Sequence, residues 1–174
     1  MLLLNNDVIP ASMQLMEESF IVHDIDGRQY GDREEMPLDG FARHMEKGLM
    51  SCTYMISMRF LLLIKDCTTA ELMAAFQQHG AVPCSNLELE AFVRHYPYST
   101  DDRSILSVGT VLLKDHRWPG VSRYDTVDGR LLQSWMRVYD NGTSDYYKNK
   151  LWSANLRFAV LTEHPVREAQ RFYC

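Results

Sequence analysis

The spacing of apolar and polar residues changes character about two thirds of the way along the chain. From Ile105 onward it reads as strands: Ile105 to Lys114, a Trp118-Pro119-Gly120 loop, Val121 to Val127, Arg130 to Tyr139, and Ser144 to Leu161. Two-residue turns at Asp128-Gly129 and Asn141-Gly142 join them, because Asp or Asn followed by Gly supplies the positive φ angles of a tight hairpin. The expected form is an antiparallel β-meander. An Asn-Gly turn sets Tyr139 opposite Ser144, hence Arg137 opposite Tyr146, Trp135 opposite Lys148, Gln133 opposite Lys150 and Leu131 opposite Trp152. One face near that turn is then basic and aromatic. The other carries Leu132, Met136, Val138, Tyr147 and Leu151 and is expected to lie on the helices. Leu156, Phe158 and Val160 are apolar on the face of Trp152, so the long last strand should bend or be covered on both sides.

Ahead of the meander, Phe20 to Asp26 reads as a strand closed by Gly27, and Asp39 can cap a helix running to Met50 with Phe41, Met45 and Leu49 at helical spacing. The run Ile56 to Ile64 reads as a buried strand, a buried helix being the alternative. Two further helices announce themselves by capping boxes, Thr68-x-x-Glu71 and Ser85-x-x-Glu88. The first turns Leu72, Met73 and Phe76 inward and stops at Gly80. The second turns Leu89, Phe92, Val93 and Tyr96 inward and stops before Pro97. Pro165 to Phe172 can form a short tail helix. Together these elements predict a single α+β domain over residues 1–174: a C-terminal antiparallel β-meander packed against two to four helices.

Composition sharpens this picture. At 174 residues, 46% hydrophobic and 24% charged, the chain has the make-up of a globular protein. The apolar start Leu2 to Leu4 is too short for a secretory signal, and no stretch approaches a transmembrane segment. Cys52, Cys67, Cys84 and Cys174 form no Cys-x-x-Cys pair, which points to reduced thiols and a cytoplasmic setting. Asn141-Gly142-Thr143 is read as turn chemistry rather than a glycosylation sequon. The net charge of −5 is unevenly spread: residues 1–102 hold 7 Lys and Arg against 16 Asp and Glu (net −9), while residues 103–174 hold 11 against 7 (net +4). An acidic helix-rich part thus precedes a basic meander, a polarity suited to head-to-tail self-association or to two differently charged solvated faces.

Candidate chemistry is sparse. Arg137, Lys148 and Lys150, interleaved with Trp135, Tyr146 and Trp152, can form a phosphate- and base-binding platform; the alternative is a solvated sheet face on which cationic stems cover aromatic rings. His23-Asp24-x-Asp26 offers paired carboxylates on one strand face, and equally a strand running into an Asp-Gly turn. His95, Asp101, Asp102 and Cys84 can be imagined as base, orienters and nucleophile, but nothing in their spacing selects them. No catalytic residue, metal or cofactor is expected. Seven methionines (Met13, Met16, Met36, Met45, Met50, Met55 and Met58) crowd the first third, as core filler or as an adaptable interface.

Phe20 to Asp26, Leu38 to Met50, Arg59-Phe60-Leu61-Leu62-Leu63-Ile64, Met136-Arg137-Val138-Tyr139-Asp140-Asn141 and Leu151-Trp152 carry, in their order along the chain, a pattern that resembles the globular part of rhabdovirus matrix proteins. In length and compactness the chain is similar to the small matrix proteins of plant-infecting cytorhabdoviruses. The resemblance implies a non-enzymatic structural protein that self-associates, condenses the nucleocapsid and links it to the envelope, in host cytoplasm and virion. The sequence carries no Pro-Pro-x-Tyr motif and no long basic N-terminal segment, so the basic meander face is the expected surface for nucleocapsid, RNA or anionic membrane. The other readings are a small interaction or inhibitor protein with one protein partner, and an enzyme with a dispersed site.

Overall fold

The computed structural model describes residues 58–63, 65–111, 120–138 and 150–161 with their side chains, and the strand backbone at 11–14, 20–26, 35–37, 53–57 and 112. The predicted helix from Asp39 to Met50, the Asn141-Gly142 turn and the tail helix from Pro165 lie outside the described residues.

The two capping boxes form as their spacing predicts. Thr68 Oγ1 accepts from the Glu71 backbone N–H at 3.3 Å while the Glu71 carboxylate accepts from Thr68 N–H at 2.7 Å, opening helix α1 (Thr69–Gln78). Ser85 and Glu88 repeat the exchange at 3.2 and 2.8 Å and open helix α2 (Asn86–His95). Each cap contributes about 1 kcal/mol. Helix α1 ends at Gly80, whose φ of +58° lets the Ala81 N–H reach back to the Phe76 carbonyl at 2.8 Å. Helix α2 ends before Pro97, which has no N–H with which to continue it.

The fold is α+β. A ten-stranded mixed sheet holds β1 (Ala11–Gln14), β2 (Phe20–Asp26), β3 (Glu35–Pro37), β4 (Thr53–Leu63), β6 (Val82–Pro83), β7 (Ser104–Leu106), β8 (Thr110–Leu112), β9 (Gly120–Val127), β10 (Arg130–Arg137) and β12 (Leu156–Leu161). A separate ribbon pairs β5 (Cys67–Thr68) with β11 (Leu151–Trp152). Strand β12 is the sheet's spine: it runs antiparallel to β4 on one side, and parallel to β7 and antiparallel to β6 on the other.

The two helices lie on opposite faces of this sheet, and side-chain alternation along β12 sorts the core accordingly. Phe158 and Val160 join Leu61, Leu63, Leu106, Val121 and Trp152 under Leu72, Ala75 and Phe76 of α1. Ala159 and Leu161 join Met58, Phe60, Leu62, Ile105, Tyr124 and Leu131 under Leu87, Leu89, Phe92 and Val93 of α2. Edge-to-face pairs lock each helix down, Phe76 on Phe158 at 6.0 Å and Phe92 on Phe60 at 5.5 Å. Coverage on both faces explains why Phe60–Leu63 of β4 and Phe158–Leu161 of β12 read as apolar runs rather than alternating ones.

Several expected pairings differ. The parallel β7–β12 pair makes this a mixed sheet, not a pure antiparallel meander. Strand β11 pairs with β5 instead of β10, so Leu131 faces Thr126 and Trp152 faces Cys67. The cause is the indole: Trp152 is fully buried, donates its Nε1–H to Thr69 Oγ1 at 3.0 Å and packs edge-on against Phe158 at 5.6 Å. Beyond it, the long predicted strand breaks at Ser153–Asn155, where Asp66 accepts the Ala154 N–H. The strand predicted from Ile105 to Lys114 also breaks, at Ser107–Gly109. There the Gly109 N–H bonds the Cys84 carbonyl at 2.8 Å, and any Cβ would stand 2.5 Å from the Pro83 oxygen. Strand β2 shifts register between Val22 and Ile25, which interrupts the simple alternation expected across His23 to Asp26.

Candidate interaction surface

The Asp128-Gly129 turn forms as predicted, with φ of +50° and +76°, both left-handed as a type I′ hairpin requires. It sets Val127 opposite Arg130 and Asp125 opposite Leu132. The segment leaving α2 then caps the start of β10: Leu131 N–H bonds the Pro97 carbonyl, Ser99 N–H bonds the Gly129 carbonyl, both at 2.9 Å, and Tyr98 bridges to Arg130. Paired residues share a sheet face, so Tyr98, Val127, Arg130 and Leu132 lie together on the face that carries α1. The α1 cluster takes in Val121, Met136 and Val138 but not this tip. Tyr98 is 69% exposed, Leu132 48% and Val127 47%, and the Arg130 guanidinium lies 6.0 Å from the Tyr98 ring centroid.

Leu132 and Leu151, expected under the helices, are therefore exposed, whereas Met136 and Val138 do pack inward. The intervening positions on this face are polar. Asp125 accepts from Ser104 Oγ at 2.5 Å, Ser134 Oγ at 2.6 Å and Arg123 Nε at 2.7 Å. Burial opposes ionisation of Asp125, but these donors outweigh it and hold its carboxyl below the usual range.

Behind the tip, Arg157 on the central strand is only 3% exposed. Its Nε donates to the Arg103 carbonyl at 3.0 Å, its guanidinium stacks 5.2 Å from the Phe60 centroid, and Asp101 stands 3.8 Å away. Burial lowers the Arg157 pKa, partly offset by Asp101. Asp101 grips Arg103 side-on, and chiefly through that hydrogen bond its carboxyl is held down at about 2. On the α2 side, Asn86 is fully buried and ties three elements together: its amide donates to Thr110, while its oxygen accepts from Ser107 Oγ and Ser122 N–H, both at 2.7 Å. The Nε of half-buried Arg59 is the one buried side-chain polar atom without a hydrogen bond among the described residues.

The predicted basic-aromatic platform is not assembled among the described residues. Trp135 and Arg137 share a sheet face with Leu131 and so lie on the α2 side; Trp135 is half-buried over Gly120 and Arg137 is exposed. Trp152 is in the core on the α1 side, with the Lys150 ammonium 5.5 Å over its ring, so Trp152 offers no face to a base. Burial lowers the Lys150 pKa. Tyr146 and Lys148 lie outside the described residues. Cys84 precedes α2 and His95 ends it, roughly 15 Å apart along a helix of that length, so the imagined nucleophile and base do not meet. Cys84 is fully buried, and Asp101 is committed to its two arginines. Burial pushes the Cys67 thiol up to about 11, which leaves it unreactive. Among the described residues no three His, Cys, Asp or Glu side chains gather as a metal site, and no helix is long and apolar enough to cross a membrane.

Sequence reasoning missed Tyr98 as part of a surface. The available signal was Pro97, which holds Tyr96 out of helical backbone and so ends α2 directly before Tyr98. Compared with known proteins, the chain matches no family model, no curated protein and no solved structure.

Proposed function

We propose that this protein is a non-enzymatic, self-associating structural protein of the viral matrix type, condensing a nucleocapsid and linking it to an envelope in host cytoplasm and virion. One observation carries the reading. The nine buried polar residues of the described region are all hydrogen-bonded within the fold, while three large apolar side chains stay exposed around one arginine. Chemistry turned inward with apolar surface turned outward suits a scaffold that works by contact. The opposed charges of the two chain segments add a steering field for copies of the same molecule.

Nucleocapsid, RNA or anionic lipid contact is assigned to the basic segment, with Arg137, Trp135 and Lys150 as its described candidates. Arg137, Lys148 and Lys150 changed together to Gln should weaken that binding and flatten its salt dependence. Self-association is tested by sedimentation velocity over a wide concentration range at low and high salt. Growth of salt-sensitive oligomers is the expected result. A sharp monomer or closed dimer under every condition overturns the matrix reading and transfers the exposed patch to a single foreign protein partner.

A further inference from the structure

We infer that residues 97–103 form a strap that opens and closes as one body over Arg157 of β12, with Arg157 as its latch. The strap joins the end of α2 to β7, and its position decides whether Tyr98 lies against Arg130 at the hairpin tip. The device is independent of the self-association proposed above.

Polar contacts hold the strap. Among the described residues, neither core cluster takes in a side chain from 97–103, and Tyr98, Thr100 and Asp102 are exposed. Within the strap, Ser99 Oγ accepts the Asp101 N–H at 3.1 Å, and the Asp101 carboxylate accepts the Arg103 N–H at 2.9 Å as well as the Arg103 guanidinium. These bonds close on one another, so the segment keeps its own shape when it moves. Its ties to the hairpin run from Ser99 N–H to the Gly129 carbonyl, from Leu131 N–H to the Pro97 carbonyl, and from Thr126 Oγ1 to the Asp101 carbonyl at 2.8 Å. A segment with no apolar anchor and so few backbone bonds belongs to the low-stability end of a fold.

Arg157 supplies the remaining hold, and supplies it from the central strand. Among the described residues, every hydrogen bond of its guanidinium ends on the strap: Nε on the Arg103 carbonyl at 3.0 Å, Nη2 on Ser99 Oγ at 3.3 Å and on the Asp101 carbonyl at 3.4 Å. Its carboxylate partner, Asp101, is on the strap as well, and the guanidinium stacks on the Phe60 ring. With the strap closed Arg157 is 3% exposed; with the strap lifted the same guanidinium meets water. Opening therefore exchanges protein acceptors for water and strands no polar group, while closing costs the hydration of a cation. These terms oppose each other. The strap then opens at a lower free energy than global unfolding, with β4, β7 and β12 still paired.

Native-state hydrogen exchange of the full-length chain at stepped urea, below the unfolding transition, tests this. The Ser99 and Leu131 amides should exchange through a common opening with little urea dependence, whereas the β4–β12 ladder amides follow global unfolding. Arg157→Met keeps an apolar stem over Phe60 and removes the latch; it should speed exchange at Ser99 and Leu131 at least about tenfold relative to the ladder. Thr126→Val removes one hairpin tie without touching the central strand, and should speed the same two amides about threefold or more. It decides the matter if Arg157→Met fails to fold. Ser99 and Leu131 amides that track the ladder in the wild type and in Thr126→Val overturn the separate opening. Different acceleration factors at the two amides overturn motion as one body. Equal acceleration of strap and ladder amides in a folded Arg157→Met overturns the latch.

Discussion

Asp101→Asn puts the buried Arg157 at risk, and the structure fixes both size and sign of the effect. Opposite charges 3.8 Å apart attract by roughly 4 kcal/mol at an effective dielectric constant of about 20. That figure omits the cost of removing both groups from water, so it is an upper bound. The lowering of the Asp101 carboxyl from its ordinary 3.8 to about 2 includes that cost, and comes chiefly from the Arg103 hydrogen bonds with Arg157 as a smaller contributor, so the variant reports on the whole Arg103–Asp101–Arg157 group. At about 1.4 kcal/mol per pH unit the lowering corresponds to ~2 kcal/mol favouring the ionised folded form, less a discount because Asp101 is a quarter exposed. Since the folded value lies below the unfolded one, this stability is fully present above about pH 4 and is lost as the pH falls toward 2. Urea unfolding of wild type and Asp101→Asn at stepped pH should show a difference of about 1–2 kcal/mol at neutrality that closes near pH 2. An equal difference at pH 7 and pH 2.5, or none above about 0.5 kcal/mol at pH 7, would refute the assignment.

Asn86→Ala strands the Ser122 N–H and the Ser107 hydroxyl in the core and removes a donor from the Thr110 carbonyl, and should cost about 2–4 kcal/mol, read as a lower urea midpoint with an unchanged slope. Gly109→Ala drives a methyl into the Pro83 and Cys84 carbonyls, backbone atoms that cannot rotate away, and should destabilise by about 3 kcal/mol or more in thermal unfolding.

The two described helices were legible because their signals are local. A hydroxyl and a glutamate three residues apart define a capping box without reference to anything else, and both boxes formed. The Asp128-Gly129 hairpin was legible for the same reason. Strand order was not. Nothing near Leu151-Trp152 in sequence says that Cys67-Thr68 will outcompete β10 as its partner; Thr69, which accepts the indole hydrogen bond beside that partner strand, lies 83 residues away along the chain. Alternation correctly placed Leu132 on the face of Met136 and Val138, yet could not say that the α1 cluster fails to reach it. Arg157 was invisible within an apolar run, because its counterion and its ring partner come from two other elements.

The placement of β12 carries a consequence for biosynthesis. The strand at residues 156–161 lies between β4 and β7, both made much earlier, and contributes to the cores on both sheet faces. Until those residues leave the ribosome, β4 and β7 lack their shared neighbour and the apolar undersides of both helices lack their central floor. Folding must therefore be a late, concerted event dominated by contacts distant in sequence, slow by the measure of contact order. Nascent chains that stop short of residue 156 expose two sets of apolar side chains at once, and crowded synthesis would make them substrates for chaperones before they become subunits of anything.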